Sequence, residues 1–579
     1  MRSRTLYLLV GIALVLVGVF LPREWYDALP IREGQATPPI KGVTLLQITL
    51  VLEGLVVAWL AARQWSFARS GESDRLPDDV EREVSTPGDA RLFPWLYAGT
   101  IGLAIALRFF RIGSDLWLDE ITPIQDYGHL SPLAVVGSFL STNNHLLNTL
   151  LTQLSTAIFG EAEWSVRLPA VLFGIATVPA TYWVARMALN RRDSLAAALL
   201  LAVSYHHIFF SQNARGYSAY VFFSLVSSGL LIRGLQEDRL RIWLLYVLAM
   251  VLDFASLLNS AFVLGAHGLV GVAALWMVHR RGGSPLPLLR RLISVFAALG
   301  LLVLQLYATV LPRVYVFIKS AYVGEGSGYS LASGEFFREM ARGLSAGFGP
   351  GLLLGAVPFL VLAFAGYVIL WRRRWILALT LVLPLVLTAG YLIVNGLTFS
   401  PRFFIFALPL AMITAIPSIH ALATLVARVL GRGRPALAPR LGAALLAVAC
   451  LGSLWSLRTY YAIPKQSYRA SIAYLESERK PGEIVIVVYN AERGYRYYLD
   501  RMGVQANGTY FYVRSVDSHD AVLASHRGRS SYLVITFPRS LHYLSTELES
   551  RLTDGWTRTR GFPATVGDGT ITVWRSRQP

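Results

Sequence analysis

The chain has 579 residues, of which 54% are hydrophobic and only 15% are charged, and its mean hydropathy is +0.49. This composition excludes an ordinary soluble fold and predicts a polytopic membrane protein. The net charge of +18 comes largely from arginines in short loops between apolar segments, which is the orientation bias of membrane proteins, so we expect no nucleic-acid partner.

Apolar runs of membrane-spanning length predict about thirteen transmembrane helices. The first run follows Met1-Arg2-Ser3-Arg4 and has no small-x-small cleavage site before Pro22, so we expect it to be retained as a span. The predicted helices lie near residues 5–22, 43–62, 94–110, 165–186, 194–212, 216–234, 241–258, 260–279, 289–311, 350–371, 375–394, 402–428 and 441–460.

Positive residues fall in alternate connections, which we therefore place in the cytoplasm together with the N-terminus. The remaining loops are therefore predicted to face outward, and they include residues 119–120, 211–216, 312–348 and 395–402. Two segments, 129–140 and 145–159, would break this alternation as full spans, so we expect them to lie in the outer interface of the cell membrane.

The pattern changes after residue 463. Short β-branched runs at residues 483–489, 509–514, 532–537 and 570–574 alternate with amphipathic stretches at 467–478 and 541–552. This alternation predicts a small extracytoplasmic α/β domain. We thus divide the chain into two extra N-terminal helices with a cytoplasmic linker (1–93), a catalytic membrane module (94–462) whose first outer loop is 111–164, and the C-terminal domain (463–579).

The first candidate catalytic residues are the two acids of Trp117-Leu118-Asp119-Glu120, just past a predicted span. Two carboxylates at the mouth of a membrane-embedded cavity are suited to deprotonating an acceptor or holding a metal. The alternative is that Asp119 caps a helix that begins near Ile121.

Three basic side chains lie in outer segments. Arg402 opens an inward-running helix, where its planar fork of donors is suited to gripping a phosphate, although a snorkelling arginine is the plainer alternative. Arg215 occupies a tight outer turn and is a candidate for phosphate or donor-sugar contact, the alternative being a turn residue that points to water. His145 starts an interfacial helix and is a candidate contact for the acceptor or a metal, or a helix-end residue.

Other polar residues are candidates for lining the same cavity. Tyr217 and Gln212 are predicted wall residues. Asp253 and His267 fall in the outer halves of neighbouring spans, and charges in hydrocarbon are costly enough to imply a cavity or a partner.

Several motifs together carry a resemblance over residues 94–460. They are the Asp119-Glu120 pair, the helix start Val166-Arg167-Leu168-Pro169-Ala170, the turn at residues 211–218 and Pro401-Arg402-Phe403-Phe404. In order and sidedness the chain resembles the GT-C membrane glycosyltransferases related to protein O-mannosyltransferases and lipid A aminoarabinose transferases.

The resemblance implies transfer of a sugar, usually with inversion, from a polyprenyl-phosphate donor to a hydroxyl or amine of a glycan, lipid or protein acceptor at the outer face. It implies Asp119 as the base and Glu120 as a residue that orients the acceptor or a divalent metal, with Glu120 and His145 as the metal ligands if one is bound. The chain departs from the pattern at Leu146-Leu147, Asn213 and Asn259, where relatives often carry two prolines, a glutamate and a histidine. Those departures leave the donor contacts and the metal open.

Two other classes of protein are alternatives. A multi-pass transporter or flippase would share the hydrophobicity, but we find no paired halves with matching broken helices. An unrelated oligosaccharyl transferase or polymer ligase would use similar arginines. The donor sugar, the acceptor and the oligomeric state are not identified by the sequence.

Overall fold

The computed structural model describes residues 2–24, 29, 41–62, 75–76, 87–322, 353–395, 401–430, 437–538, 546–553 and 555–577. Within these ranges, nine helices are long and apolar enough to cross a membrane, or ten if one bent pair is counted as a span. Each of the thirteen predicted segments overlaps a helix. The predicted fold class, a polytopic helical membrane protein with a small C-terminal α/β domain, is confirmed.

The membrane-embedded part and its outer loops contain seventeen described α-helices and one 3₁₀-helix, Pro401–Ala407. The α-helices are α1 (Arg2–Phe20), α2 (Gly42–Ala62), α3 (Pro87–Phe109), α4 (Leu118–Tyr127), α5 (Pro132–Gly137), α6 (Leu146–Phe159), α7 (Glu163–Ala185), α8 (Arg191–Val203), α9 (Tyr205–Ser211), α10 (Tyr217–Glu237), α11 (Leu240–Ser256), α12 (Ser260–Arg280), α13 (Pro285–Tyr307), α14 (Leu311–Tyr322), α15 (Leu353–Val394), α16 (Leu408–Leu430) and α17 (Leu437–Ala462).

The two N-terminal helices, α1 and α2, pack against each other as a hairpin. At their crossing, a Cβ added to Gly11 would lie 2.6 Å from the carbonyl oxygen of Gly54, and one added to Gly54 would lie 2.4 Å from that of Gly11. Both positions therefore require glycine, and close backbone approach of this kind is how helices associate in lipid.

The predicted span at residues 194–212 is broken rather than continuous. Helices α8 and α9 meet at a bend of 60° next to Ser204. Buried Arg108 satisfies the polar groups freed by the break: it donates to the carbonyls of Leu201 and Ala202 at 3.4 and 3.0 Å. It also lies 2.6 Å from Nδ1 of His207, which must act as the acceptor because arginine carries only donors.

Helix α15 joins two predicted spans. Arg374 within it has non-helical angles, φ −143° and ψ 58°, so the chain kinks at the predicted cytoplasmic connection 372–374. Most of the predicted outer loop 312–348, and residues 396–400, lie outside the described residues.

The C-terminal domain is built on a five-stranded sheet with flanking helices. Its elements are α18 (Tyr468–Glu478), β1 (Ile484–Val488), α19 (Glu492–Arg501), β2 (Tyr510–Val513), α20 (Val516–Ser525), β3 (Ser531–Ile535), α21 (Thr546–Thr553), β4 (Trp556–Phe562) and β5 (Ile571–Ser576). The strand order is β2-β1-β3-β5-β4. Strand β1 pairs in parallel with β2 and β3, whereas β5 is antiparallel to β3 and β4. Four of the five strands match predicted runs, and β4 was not predicted.

One face of this sheet shares its apolar core with the first outer loop. Tyr468 and Tyr495 pack there with Leu116 and Ile121, all of them almost fully buried. The domain therefore packs directly on the segment that carries Asp119.

Candidate functional site

The acidic pair opens helix α4, with Asp119 and Glu120 as its second and third residues. The two carboxylates differ sharply in environment: the Asp119 side chain is 19% exposed, whereas that of Glu120 is completely buried. Asp119 does not cap the helix. Glu120 does part of that work instead, because its Oε2 accepts a hydrogen bond from the backbone N–H of Trp117 at 3.2 Å.

Glu120 is saturated by other partners. Arg167 grips it through two hydrogen bonds, Nε to Oε1 at 2.8 Å and Nη2 to Oε2 at 2.7 Å. The backbone N–H of Ala214 donates to Oε1 at 2.8 Å, and the Lys465 ammonium lies 3.6 Å from the same oxygen. Burial favours a raised pKa for Glu120, but the charges of Arg167 and Lys465 outweigh it and lower the pKa to about 2. This geometry does not support the predicted contact of Glu120 with an acceptor or a metal.

Asp119 faces the other way, towards two arginines that are distant in sequence, one in the turn before α10 and one in the 3₁₀-helix. Arg215 forms an ion pair with it through Nη1. Nη1 of Arg402 lies 3.9 Å from Asp119 Oδ2. Arg402 is 43% exposed and is the most exposed member of the group. The structure thus brings together the three residues to which the sequence analysis gave the base and the phosphate contacts.

His145 fixes the Arg215 guanidinium by hydrogen bonds. Its Nδ1 lies 3.2 Å from the backbone carbonyl of Ser256, so Nδ1 carries the proton and Nε2 is the acceptor. Nε2 then accepts from the guanidinium of Arg215 at 2.9–3.1 Å, and Asn143 Oδ1 accepts from Arg215 at 2.9 Å. Because Nε2 accepts from a guanidinium, which has only donors, the ring is neutral. Burial and the Arg215 charge act in the same direction and lower the pKa of His145 well below its usual value.

Tyr217 and Gln212, the predicted wall residues, are both buried next to the Arg215 turn. The Tyr217 ring is buried, with centroids 5.4 Å from His145 and 5.1 Å from Phe210. Gln212 Nε2 donates to the carbonyls of Arg108 and Phe110, both at 2.8 Å. These bonds fix the turn that carries Arg215.

Asp253 and His267 form a separate group between α10, α11 and α12. Ser224 Oγ donates to Asp253 at 3.0–3.1 Å, while His267 contacts Ser228 and Tyr246, each at 3.1 Å. Both side chains are fully buried. This placement gives them packing partners and does not support the predicted contact with substrate.

The residues proposed for a metal do not fit one in this arrangement. Glu120 is turned to Arg167, and the acceptor nitrogen of His145 is occupied by Arg215. Over the described part of the chain, no three His, Cys, Asp or Glu side chains are grouped so as to hold a metal ion.

Arg167, Lys465 and Asn143 were not assigned to the site from sequence. Arg167 belongs to the helix-start motif at residues 166–170, and a charged residue at the start of an apolar helix indicates a buried partner, so this signal was available in the sequence. Lys465 gave no signal, because a lysine just after a span is typically a snorkelling residue. Its partners are distant in sequence and become visible only in the fold.

A cavity of about 430 Å³ adjoins the site and is lined in part by Lys465 and Gln212. It is bounded by the loop after α3, the end of α17 and the start of the C-terminal domain, with Arg111, Ser114, Tyr461 and Arg469 among its lining residues.

Part of the chain matches a known protein family. The family described as dolichyl-phosphate-mannose-protein mannosyltransferase matches residues 146–311, which run from α6 to the start of α14 and include the Arg215 turn. A comparison with curated proteins found no match.

Several solved structures have a similar overall fold. ArnT from Cupriavidus metallidurans is 13% identical, with 84% of this chain and 98% of that chain covered and a TM-score of 0.49. AglB, the oligosaccharyltransferase of Archaeoglobus fulgidus, is 11% identical, with coverages of 84% and 74% and a TM-score of 0.45. The arabinosyltransferase EmbB of Mycobacterium smegmatis is 16% identical, with coverages of 72% and 42% and a TM-score of 0.38.

The family match favours an enzyme over the transporter or flippase alternative. The predicted resemblance is confirmed by the match over residues 146–311, and the chain is a multi-pass membrane protein of the glycosyltransferase class.

Proposed function

We propose that this protein transfers a sugar from a polyprenyl-phosphate donor to an acceptor hydroxyl at the outer face of the membrane, with inversion at the anomeric carbon. The observation that carries the proposal is the convergence of Asp119, Arg215 and Arg402, which come from the start of α4, the turn before α10 and the 3₁₀-helix. The mannosyltransferase family match supports the lipid-linked donor class. The outer face is inferred from the arginine bias of the opposite connections.

Asp119 is the base. It is the carboxylate of the pair that is partly exposed, and a base must reach the proton that it removes. In the transfer, the acceptor oxygen forms a bond to the anomeric carbon while the bond from that carbon to the phosphate oxygen breaks. The hydroxyl proton goes to Asp119, and the bond pair leaves with the lipid phosphate.

The charges of the group suit this step. Two guanidinium groups against one carboxylate leave one positive charge in excess, since His145 is neutral. That excess balances the single negative charge of a phosphodiester donor. As the lipid phosphate gains a second negative charge, Asp119 gains a proton and becomes neutral, so the total charge is unchanged. Fixed arginines stabilise the developing phosphate charge without reorganisation.

The ion pair between Asp119 and Arg215 belongs to the donor-free state. A bound phosphate offers the guanidinium a second anionic partner with matching bidentate geometry. We infer that the phosphate takes over part of the Arg215 donor set and that Arg402, which is the more exposed of the two arginines, turns towards it. Asp119 is thereby released to meet the acceptor.

The test is turnover by purified protein in nanodiscs, with dolichyl-phosphate mannose as the first probe and other polyprenyl-phosphate hexoses, pentoses and aminosugars after it. We expect Asp119→Asn to lower the rate of lipid-phosphate release by about 10²- to 10⁴-fold, because the base is lost.

The matched control is Asp126→Asn. Asp126 lies on the same helix but pairs with Arg493 at 2.7 Å, away from Arg215. Continued turnover by folded Asp119→Asn would remove Asp119 from the mechanism, and no turnover with any probe by the wild type would reject the proposed function.

A further inference from the structure

The chain that leaves the last span passes through the candidate site before it enters the C-terminal domain. Lys465 lies three residues after α17, and its side chain is 2% exposed. Its ammonium donates to the backbone carbonyl of Gln212 and lies 3.6 Å from Glu120 Oε1. One cation therefore contacts both the loop that bears Asp119 and the turn that bears Arg215.

The two segments that Lys465 contacts are also hydrogen-bonded directly to each other. Ala214 donates its N–H to Glu120 Oε1 at 2.8 Å, so the sequence neighbours of Arg215 and Asp119 are bonded to each other alongside the ion pair. A shift of Glu120 relative to Gln212 would move Asp119 relative to Arg215. Lys465 is the group that opposes this shift from the side of the C-terminal domain.

We propose that Lys465 is a positioning residue of the transfer reaction: held by the C-terminal domain, its ammonium clamps Glu120 and the Gln212 carbonyl and thereby fixes Asp119 against Arg215. The inference rests on the proposed function and deepens it, since it makes the C-terminal domain part of the catalytic apparatus instead of a cap.

Charge and burial support the clamp. Glu120 is one carboxylate held between two cations, Arg167 and Lys465, so a second cation is not needed merely to neutralise it. Burying an extra charge is costly, and a lysine just past a span would ordinarily reach for water. Its retention inside the protein, pointing at two catalytic segments, indicates a role beyond packing.

The backbone around Lys465 is held firmly. Gln466 Oε1 accepts from the N–H of Leu118 at 2.8 Å, while its Nε2 donates to Thr536 Oγ1, just after strand β3, at 3.1 Å. Arg469 donates its backbone N–H and Nη1 to Asp115 at 2.9 and 2.8 Å. The sheet thus fixes the position from which the ammonium acts.

The experiment compares three full-length variants in nanodiscs with dolichyl-phosphate mannose, or with whichever probe donor the wild type consumes. Lys465→Met removes the charge, and Lys465→Arg keeps it. Arg493→Gln is the matched control, because it breaks an ion pair of the same domain interface with Asp126. We expect Lys465→Met to lower kcat by about 10- to 100-fold through misplacement of the base, with little change in the donor KM.

Lys465→Arg should recover most of kcat, and Arg493→Gln should resemble the wild type. Unchanged kcat in Lys465→Met, failure of rescue by Lys465→Arg, or an equal loss in Arg493→Gln would each overturn the proposal. If Lys465→Met does not fold, the kcat of Lys465→Gln is measured instead. That variant retains a donor for the Gln212 carbonyl without the charge, and an unchanged kcat would refute the clamp.

A second readout does not depend on turnover. Amide hydrogen exchange is measured on peptides covering residues 116–124 and 211–217. We expect faster exchange in both peptides for Lys465→Met and wild-type exchange for Arg493→Gln, and equal exchange in all three proteins would overturn the proposal. Absence of sugar transfer by the wild type would reject the proposed function while leaving this measurement valid.

Discussion

At the scale of single residues, Arg215 connects the candidate base to its surroundings. Its guanidinium contacts Asp119, Asn143 and His145 at the same time. The guanidinium makes four contacts to these partners from three separate nitrogens, and an ammonium, with three donors on one nitrogen, cannot reproduce that arrangement. The orientation of Asp119 therefore depends on arginine at position 215 specifically.

The pH dependence of stability tests the state of Lys465. Glu120, Arg167 and the Phe209 ring face its ammonium from α4, α7 and α9. Burial lowers the pKa of Lys465 from 10.5 to about 7, although Glu120 opposes the shift. Between these values the unfolded chain holds a proton that the folded chain has lost, so stability should rise with pH in this window.

We expect the melting temperature of the wild type to increase relative to that of Lys465→Met from about pH 7 towards pH 10. The kcat of the wild type should fall relative to that of Lys465→Arg over the same window, because the clamp needs the charged form. Thermal melts and initial rates across this range measure both trends. Parallel melting curves for the wild type and Lys465→Met would contradict the assignment.

Part of the site could be predicted residue by residue. Sidedness alone placed Asp119, Arg215, Arg402 and His145 on the same face of the membrane, and the fold brings them into contact. The roles of the two acids could not be separated in advance. What separates them is burial against Arg167 and Lys465, 47 and 345 positions along the chain from Glu120, and no local pattern encodes those contacts.

At the scale of elements, the bend between α8 and α9 determines where the turn that carries Arg215 lies in the fold. Sequence predicts one continuous span here, because the interruption Ser204-Tyr205-His206-His207 is short and apolar residues resume at Ile208. Strand β4 is missed for the opposite reason: its interior residues are polar and exposed, as suits the edge of a sheet.

The variant Arg108→Met tests how much Arg108 stabilises the bend between α8 and α9. Removing the guanidinium leaves the carbonyls of Leu201 and Ala202 without their donor in a buried setting. We expect the free energy of unfolding to fall by about 2–4 kcal/mol, with reduced kcat because the Gln212 turn shifts.

The matched control is Arg458→Met, which removes an exposed arginine from α17. Denaturant unfolding in detergent measures both variants. Equal stability of the two variants would show that Arg108 does not support the break.

At the scale of the whole molecule, the C-terminal domain and the first outer loop form one packed unit. Leu116 and Ile121 belong to the domain core, and the Tyr498 hydroxyl accepts from the N–H of Leu116 at 2.6 Å. A unit with a shared core unfolds cooperatively.

We therefore expect strands β1 and β3 and the loop at residues 112–124 to lose protection at the same temperature, together with activity. Amide exchange at stepped temperatures, followed by activity assays, measures this. A domain that melts first while the loop stays protected and turnover persists would show two independent units.

Arg108 also has a consequence for the molecule as a whole. Its recorded partners among the described residues are carbonyl oxygens, the Ser211 hydroxyl and a histidine nitrogen, and no carboxylate is paired with it. Within the described part of the chain, the fold thus keeps at Arg108 a buried positive charge without a paired carboxylate, in contact with Ser211, which lies four residues before Arg215. In a medium of low permittivity the potential of such a charge reaches far, so an anion that gathers charge near it meets a favourable field already in place.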